Sequence, residues 1–421
     1  MVQRDGRRSY GTFWLPTLWQ AVGLAHFIRA RRPANLARAA AKLNAAPGQE
    51  RLLLDAPAAS HRILPAMISE HLEGLAQQAI EERIFPGCVL GVMVGGGRDV
   101  RAFGRPTYES GARVAERSIY DVASLTKTIV TATLMHLLID EGRCALGEPA
   151  AKYIPEFAAN GKDGVLIEHL MSYTVQLSSE YFDDWKGNTS LWTFPELLQL
   201  FWASPPKTTP GESYLYTDAT AMLLGELIRR IAGCDLDALA QKRIFAPLGM
   251  RDSTLDPVSR DKDRIVPTGY RPDGALIWGV PNDEKANLAY ASGIQSGLAG
   301  LFSTVADILH WVEMVFGGGR VNGTAFLSPR AIELMTRDFY PEKPFRSALG
   351  WGDDPTYQAL EGAGGKDLLA KGGFTGCFMI GCISTKKAVV FLSNRVHPKR
   401  PADVGPWQEF RRNVVRCVFG A

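Results

Sequence analysis

The chain has 421 residues, 46% of them hydrophobic and 22% charged; this excludes disorder, collagen and coiled coil as whole-chain descriptions and predicts two or three domains. Forty-seven Lys and Arg against 44 Asp and Glu leave a net charge of +3, too small a bias to point to a nucleic-acid partner. The six cysteines lie mostly in apolar stretches with no C-x-x-C spacing, and the seven histidines form no ligand grouping, so no metal site or cofactor is implied.

Residues 1–66 read as a basic N-terminal extension. Nine Lys and Arg between Arg4 and Arg51 are opposed only by Asp5 and Glu50. Arg7-Arg8 followed by the apolar stretch Phe13 to Ile28 resembles a twin-arginine export signal. Pro16, Gln20 and His26 interrupt that stretch, however, and Arg29-Ala-Arg-Arg32 follows it at once. The expectation is a peripheral, partly helical arm, or a stretch read from an upstream start codon, on a cytoplasmic protein with no transmembrane span, export and a membrane-surface anchor being the alternatives.

Met67, Ile68, Leu72, Leu75, Ala76, Ala79 and Ile80 recur at helical spacing until Pro86-Gly87, after which Cys88–Val94 reads as a strand turning at Gly95-Gly-Gly97. The run Ser124–Ile139 is apolar nearly all round, which predicts a buried central helix. Further helices are expected at Ala221–Ile228 and from Ser303-Thr-Val-Ala-Asp307 to Gly317-Gly-Gly319. Cys377–Ile383 and Ala388–Leu392 read as two strands separated by Ser384–Lys387, and Trp407, Phe410, Val414 and Val418 mark a closing helix. Strands at both ends and helices between them predict an α+β architecture: an antiparallel sheet built from both chain ends and flanked by helices, with an inserted mostly helical lobe. The boundaries are 67–125 plus 340–421 for the sheet lobe and 126–339 for the helical lobe, with a site at their junction. Tyr181, Trp185, Trp192 and Trp202 in the insert read as lobe core, and Glu180, Asp183 and Asp184 as a solvated loop.

Ser124 and Lys127, three residues apart, share one face of the central helix. Burial and nearby positive charge would help such an amine to take the serine proton, and the serine amide at a helix N-terminus would face a developing oxyanion. Two further motifs follow: Tyr216-x-Asp218 on a turn before a helix, and Lys371-Gly372-Gly373, whose glycines admit a close backbone approach.

In this order, and spaced by 92 and 155 residues, Ser124-x-x-Lys127, Tyr216-x-Asp218 and Lys371-Gly-Gly373 resemble the motifs of the serine β-lactamase and penicillin-binding-protein superfamily, closest to its class C β-lactamase-like serine hydrolases and esterases. Tyr120–Lys127, Phe245–Met250, Ala299–Thr304, Leu349–Trp351 and Leu392–Pro398 extend the likeness over most of 67–421. The resemblance implies a β-lactamase/transpeptidase-like fold, Ser124 as nucleophile and Lys127 with Tyr216 as acid-base pair. It also implies an oxyanion hole from the amides of Ser124 and Phe374, and substrate contacts from Asp218, Lys371, Gly372 and Gly373. No metal or cofactor is implied, the partner is a small-molecule acyl substrate, and oligomeric state is not specified.

Three departures bear on substrate. Asp218 stands where β-lactamases usually carry Asn, Gly372 where a threonine hydroxyl would assist with a carboxylate, and Val175-Gln176 where many relatives have Ser-Gly. The first two favour a carboxylesterase over an efficient β-lactamase. A D-alanyl-D-alanine carboxypeptidase or D-aminopeptidase, an acyltransferase on the same site, and a catalytically inactive binding protein are the alternatives.

Overall fold

The computed structural model describes residues 68–177, 193–259, 262–351 and 368–420. The N-terminal extension and Glu180, Tyr181, Asp183, Asp184, Trp185 and Trp192 of the insert lie outside the described residues.

Ser69 caps α1 (Glu70–Glu81), its Oγ accepting the Leu72 amide at 3.2 Å, and Leu72, Ala76 and Ala79 bury one face of the helix. Strand β1 (Gly87–Val94) turns back into β2 (Gly97–Gly104) through Gly95 and Gly96. Both glycines have positive φ, the backbone a two-residue hairpin turn requires. The central part of the chain includes the helices α2 (Thr133–Asp140), α3 (Asp218–Ala232) and α4 (Val305–Phe316). At the far end β3 (Leu368–Gly373), β4 (Cys377–Cys382) and β5 (Lys387–Ser393) form a meander closed by α5 (Gly405–Phe419).

Strand β5 pairs antiparallel with β1, Leu90 opposite Phe391, giving one five-stranded sheet in the order β2-β1-β5-β4-β3. The sheet is thus assembled from both chain ends, as the sequence pattern predicts. Strand alternation sorts the side chains between two cores. Cys88, Leu90 and Val92 join Leu72 of α1 and Trp407 and Phe410 of α5 on one face, while Val89 and Met93 point into a larger core on the other. Helix α4 covers that second face closely, since a Cβ on Gly91 would lie 2.3 Å from Val305 Cγ1. The helical region between the chain ends therefore shares its core with the sheet, and residues 68–420 belong to one compact unit.

The central apolar run begins as a π-helical turn, Lys127–Ala132, and continues as α2; every residue from Lys127 to Leu138 is buried. Trp202 is half-buried and packs on the edge of the larger core. Among the described residues, no helix is long and apolar enough to cross a membrane.

Candidate active site

The turn that carries Ser124 is held from four sides. Tyr120-Asp121 pairs with Phe302-Ser303 in a short ladder, and the buried Asp121 carboxylate accepts the amides of Ala123 at 2.9 Å and Asn282 at 2.8 Å. Thr375, just beyond β3, donates its hydroxyl to the Asp121 carbonyl at 2.8 Å. Gly373 lies so close to this turn that a Cβ there would be 2.4 Å from the Val122 carbonyl oxygen. Ala123, immediately before the nucleophile, has φ of +47°, a left-handed conformation that a non-glycine residue keeps only under such constraint. Burial pushes the Asp121 carboxyl up to about 6 against the pull of its two amide donors.

One turn on, Lys127 is 3% exposed and its Nζ donates to Ser124 Oγ at 3.0 Å, Asp218 Oδ1 at 3.0 Å and the Leu298 carbonyl at 2.9 Å. Three acceptors use all three ammonium hydrogens. Thr217 caps α3 and sets Asp218 at its first position, where the other carboxylate oxygen accepts Lys285 Nζ at 3.0 Å. Burial raises the Asp218 carboxyl, but the ammonium groups of Lys127 and Lys285 outweigh it and hold the group well below the usual carboxylate range. The charge in direct contact with Lys127 is thus a carboxylate, where the sequence suggests a cation.

The ring of Tyr216 lies between two lysines, its centroid 4.2 Å from Lys371 Nζ and 5.3 Å from Lys127 Nζ, and it stacks on Tyr173 at 5.1 Å. The Val175-Gln176 departure lies in the segment that follows Tyr173. Val175 is buried in the core, and Gln176 donates its side-chain amide to Ser213 Oγ at 2.8 Å. The Leu215 amide donates to the Tyr173 carbonyl at 2.9 Å, so the two segments run together beneath Tyr216.

Ser124, Tyr216, Lys371, Gly372, Gly373 and Phe374 converge on one cavity of about 510 Å3, whose walls also include Tyr173, Tyr214, Trp407, Arg346, Arg395 and Arg411. Asp218 does not belong to its lining. The amides of Ser124 and Phe374 donate to no protein acceptor among the described residues, and the next peptide, Phe374–Thr375, is held by Arg395 Nη2 donating to the Phe374 carbonyl at 2.8 Å. Lys285, Asp121 and Arg395 lie in no motif that marks them individually as site residues. The Asn282-Asp283 cap before Lys285 predicts a helix start, but no motif couples position 285 to Asp218.

Comparison with known proteins places the chain in a family and a fold. The sequence model of the Beta-lactamase family matches residues 72–412. An Escherichia coli (strain K12) protein, provisionally named a D-alanyl-D-alanine carboxypeptidase, is 26% identical over 327 residues, covering 69% of this chain and 72% of its own. Among solved structures, EstCE1, a hydrolase with promiscuous acyltransferase activity, superposes with a TM-score of 0.68 at 20% identity, covering 84% of this chain and 99% of its own. The octameric penicillin-binding protein homologue from Pyrococcus abyssi does so with a TM-score of 0.60 at 22% identity, covering 77% and 73%. These two likenesses carry the fold.

Proposed function

The chain belongs to the beta-lactamase family, and from that premise we propose that it is a serine hydrolase acting as a carboxylesterase through an acyl-enzyme on Ser124. The observation that carries this reading is the 3.0 Å contact between the buried Lys127 amine and Ser124 Oγ on a cavity wall. In the proposed cycle Lys127 first gives one ammonium proton to solvent, and its neutral amine, with Tyr216 beside it, takes up the hydroxyl proton as Ser124 Oγ attacks the ester carbonyl. The tetrahedral oxyanion is received by the amides of Ser124 and Phe374. Collapse expels the alcohol, which recovers the proton, and water then repeats the sequence to release the acid.

Two features support an ester over a β-lactam. The Asp218 carboxylate is engaged by Lys127 and Lys285, outside the cavity lining, and Gly372 brings no hydroxyl beside Lys371. A carboxypeptidase reading draws on the cationic walls Lys371 and Arg346, which suit a peptide carboxylate, and on the name of the Escherichia coli relative.

Intact-protein mass after treatment with a fluorophosphonate tests the nucleophile. One adduct is expected on wild type, none on Ser124→Ala, and labelling slowed at least about 100-fold in Lys127→Ala. Turnover of p-nitrophenyl butyrate against an acyl-D-alanyl-D-alanine peptide then decides the substrate. Faster peptide release removes the esterase reading, and an unlabelled but folded wild type removes both.

A further inference from the structure

Asp218 is a single carboxylate shared by two lysines, one of which the mechanism uses and one of which it does not. We propose that Lys285 is a positioning residue that takes up half of the Asp218 charge so that Lys127 can release a proton and serve as base to Ser124. This rests on the assignment of Ser124 and Lys127 above.

A buried ammonium ion paired one-to-one with a carboxylate keeps its proton, because losing it would strand the negative charge. Here Asp218 Oδ1 faces Lys127 and Oδ2 faces Lys285, each at 3.0 Å. When Lys127 gives up its proton, the carboxylate keeps a full ion pair with Lys285. Lys285 is well placed for that service. It sits in the first turn of a separate helix, Glu284–Ala291, whose cap Asp283 accepts the Lys285 and Ala286 amides at 3.0 Å each, and its side chain is only 23% exposed. Lys127 also meets Ser124 Oγ, the Leu298 carbonyl and the Tyr216 ring, with Lys371 over that same ring. Tyr173 and Asp283 are the other titratable groups that feel its charge. Of these neighbours, Lys285 is the cation that touches the carboxylate Lys127 touches.

The test is the pH dependence of fluorophosphonate labelling of Ser124, which requires no knowledge of the natural acyl group. In Lys285→Gln the acidic limb of the labelling rate should move to higher pH by about one unit or more, with the rate recovering at alkaline pH. Lys285→Arg should restore the wild-type profile. In an Asp218→Asn background, where no negative charge remains to be shared, Lys285→Gln should produce no further shift. A uniform loss of rate at all pH values in Lys285→Gln, or an equal shift with and without Asp218, would overturn the proposal. Should Lys285→Gln fail to fold, Lys285→Met and the Arg variant against wild type supply the same comparison. A wild type that is not labelled overturns the Ser124 assignment and this inference together. A labelled wild type with a pH-independent effect overturns only the inference.

Discussion

At the residue scale, Ser124 and Lys127 are adjacent because a helix makes them so, but their chemistry depends on groups far away in sequence. Asp218 lies 91 residues from Lys127 and Lys285 a further 67, and both are needed to describe the charge around the amine. Asp218→Asn should therefore destabilise the fold at neutral pH by roughly 1–2 kcal/mol, the screened value for a partly exposed shared ion pair. The sign follows from the depressed carboxyl. Its contribution is complete above the unfolded carboxylate value of about 4 and is lost progressively as pH falls below that, through its folded value. Denaturant unfolding of wild type and variant should accordingly differ most near neutrality and converge toward acid. A difference that persists unchanged at pH 3 or below would mean that packing, not charge, sets it.

Among elements, the decisive contact is between the end of β3 and the turn before the central helix. Among the described residues strand β3 pairs with β4 alone, which fixes its register with Lys371 opposite Met379 and Gly372 opposite Phe378. That register places Lys371 in the cavity wall and brings Gly373 against the Val122 carbonyl. In Gly373→Ala the added methyl must push strand and turn apart, separating the amide of Phe374 from that of Ser124. The expected result is a folded protein, destabilised by about 1–3 kcal/mol, whose kcat/KM is lowered at least about tenfold. Unaltered kcat/KM in this variant would show that the two amides do not act together on the oxyanion. Sequence pattern predicts β1, β4 and β5, whose apolar runs are bounded by glycine and polar turns, and the hairpin turn that leads into β2, but it does not mark Leu368–Gly373 as a strand. It does not predict the π-helical turn at Lys127–Ala132, since a π turn and an α turn carry the same apolar residues.

For the whole molecule, two buried carboxyls tie stability to pH. Burial pushes Asp121, beneath the nucleophile turn, and Asp307, in the first turn of α4, up to about 6. A carboxyl raised on folding stabilises while it stays protonated, fully below the unfolded value of about 4, and that contribution is lost as pH rises through 6. Each of the two carboxyls thus loses up to about 3 kcal/mol of its contribution between pH 4 and 6.5, while His136, pushed down to about 4 by burial, contributes in the opposite sense over the same range. Asp307→Asn should remove its share of the slope in urea titrations across that range. A wild-type slope identical to that of Asp307→Asn would contradict this accounting.

Much of the architecture was legible before the fold was known, because period-two and helical spacing, glycine turns and caps act over a few residues and leave their mark in the chain. The sheet from both chain ends and the family likeness of the Ser124, Tyr216 and Lys371 motifs belong to that level. Tertiary structure alone decided which carboxylate meets Lys127, that Lys285 shares it, that α4 covers the sheet, and that Arg395 bonds the Phe374 carbonyl. These are contacts between segments tens to hundreds of residues apart. Their energies come from burial and from unscreened charge, quantities that exist only once the chain has folded and water has been excluded.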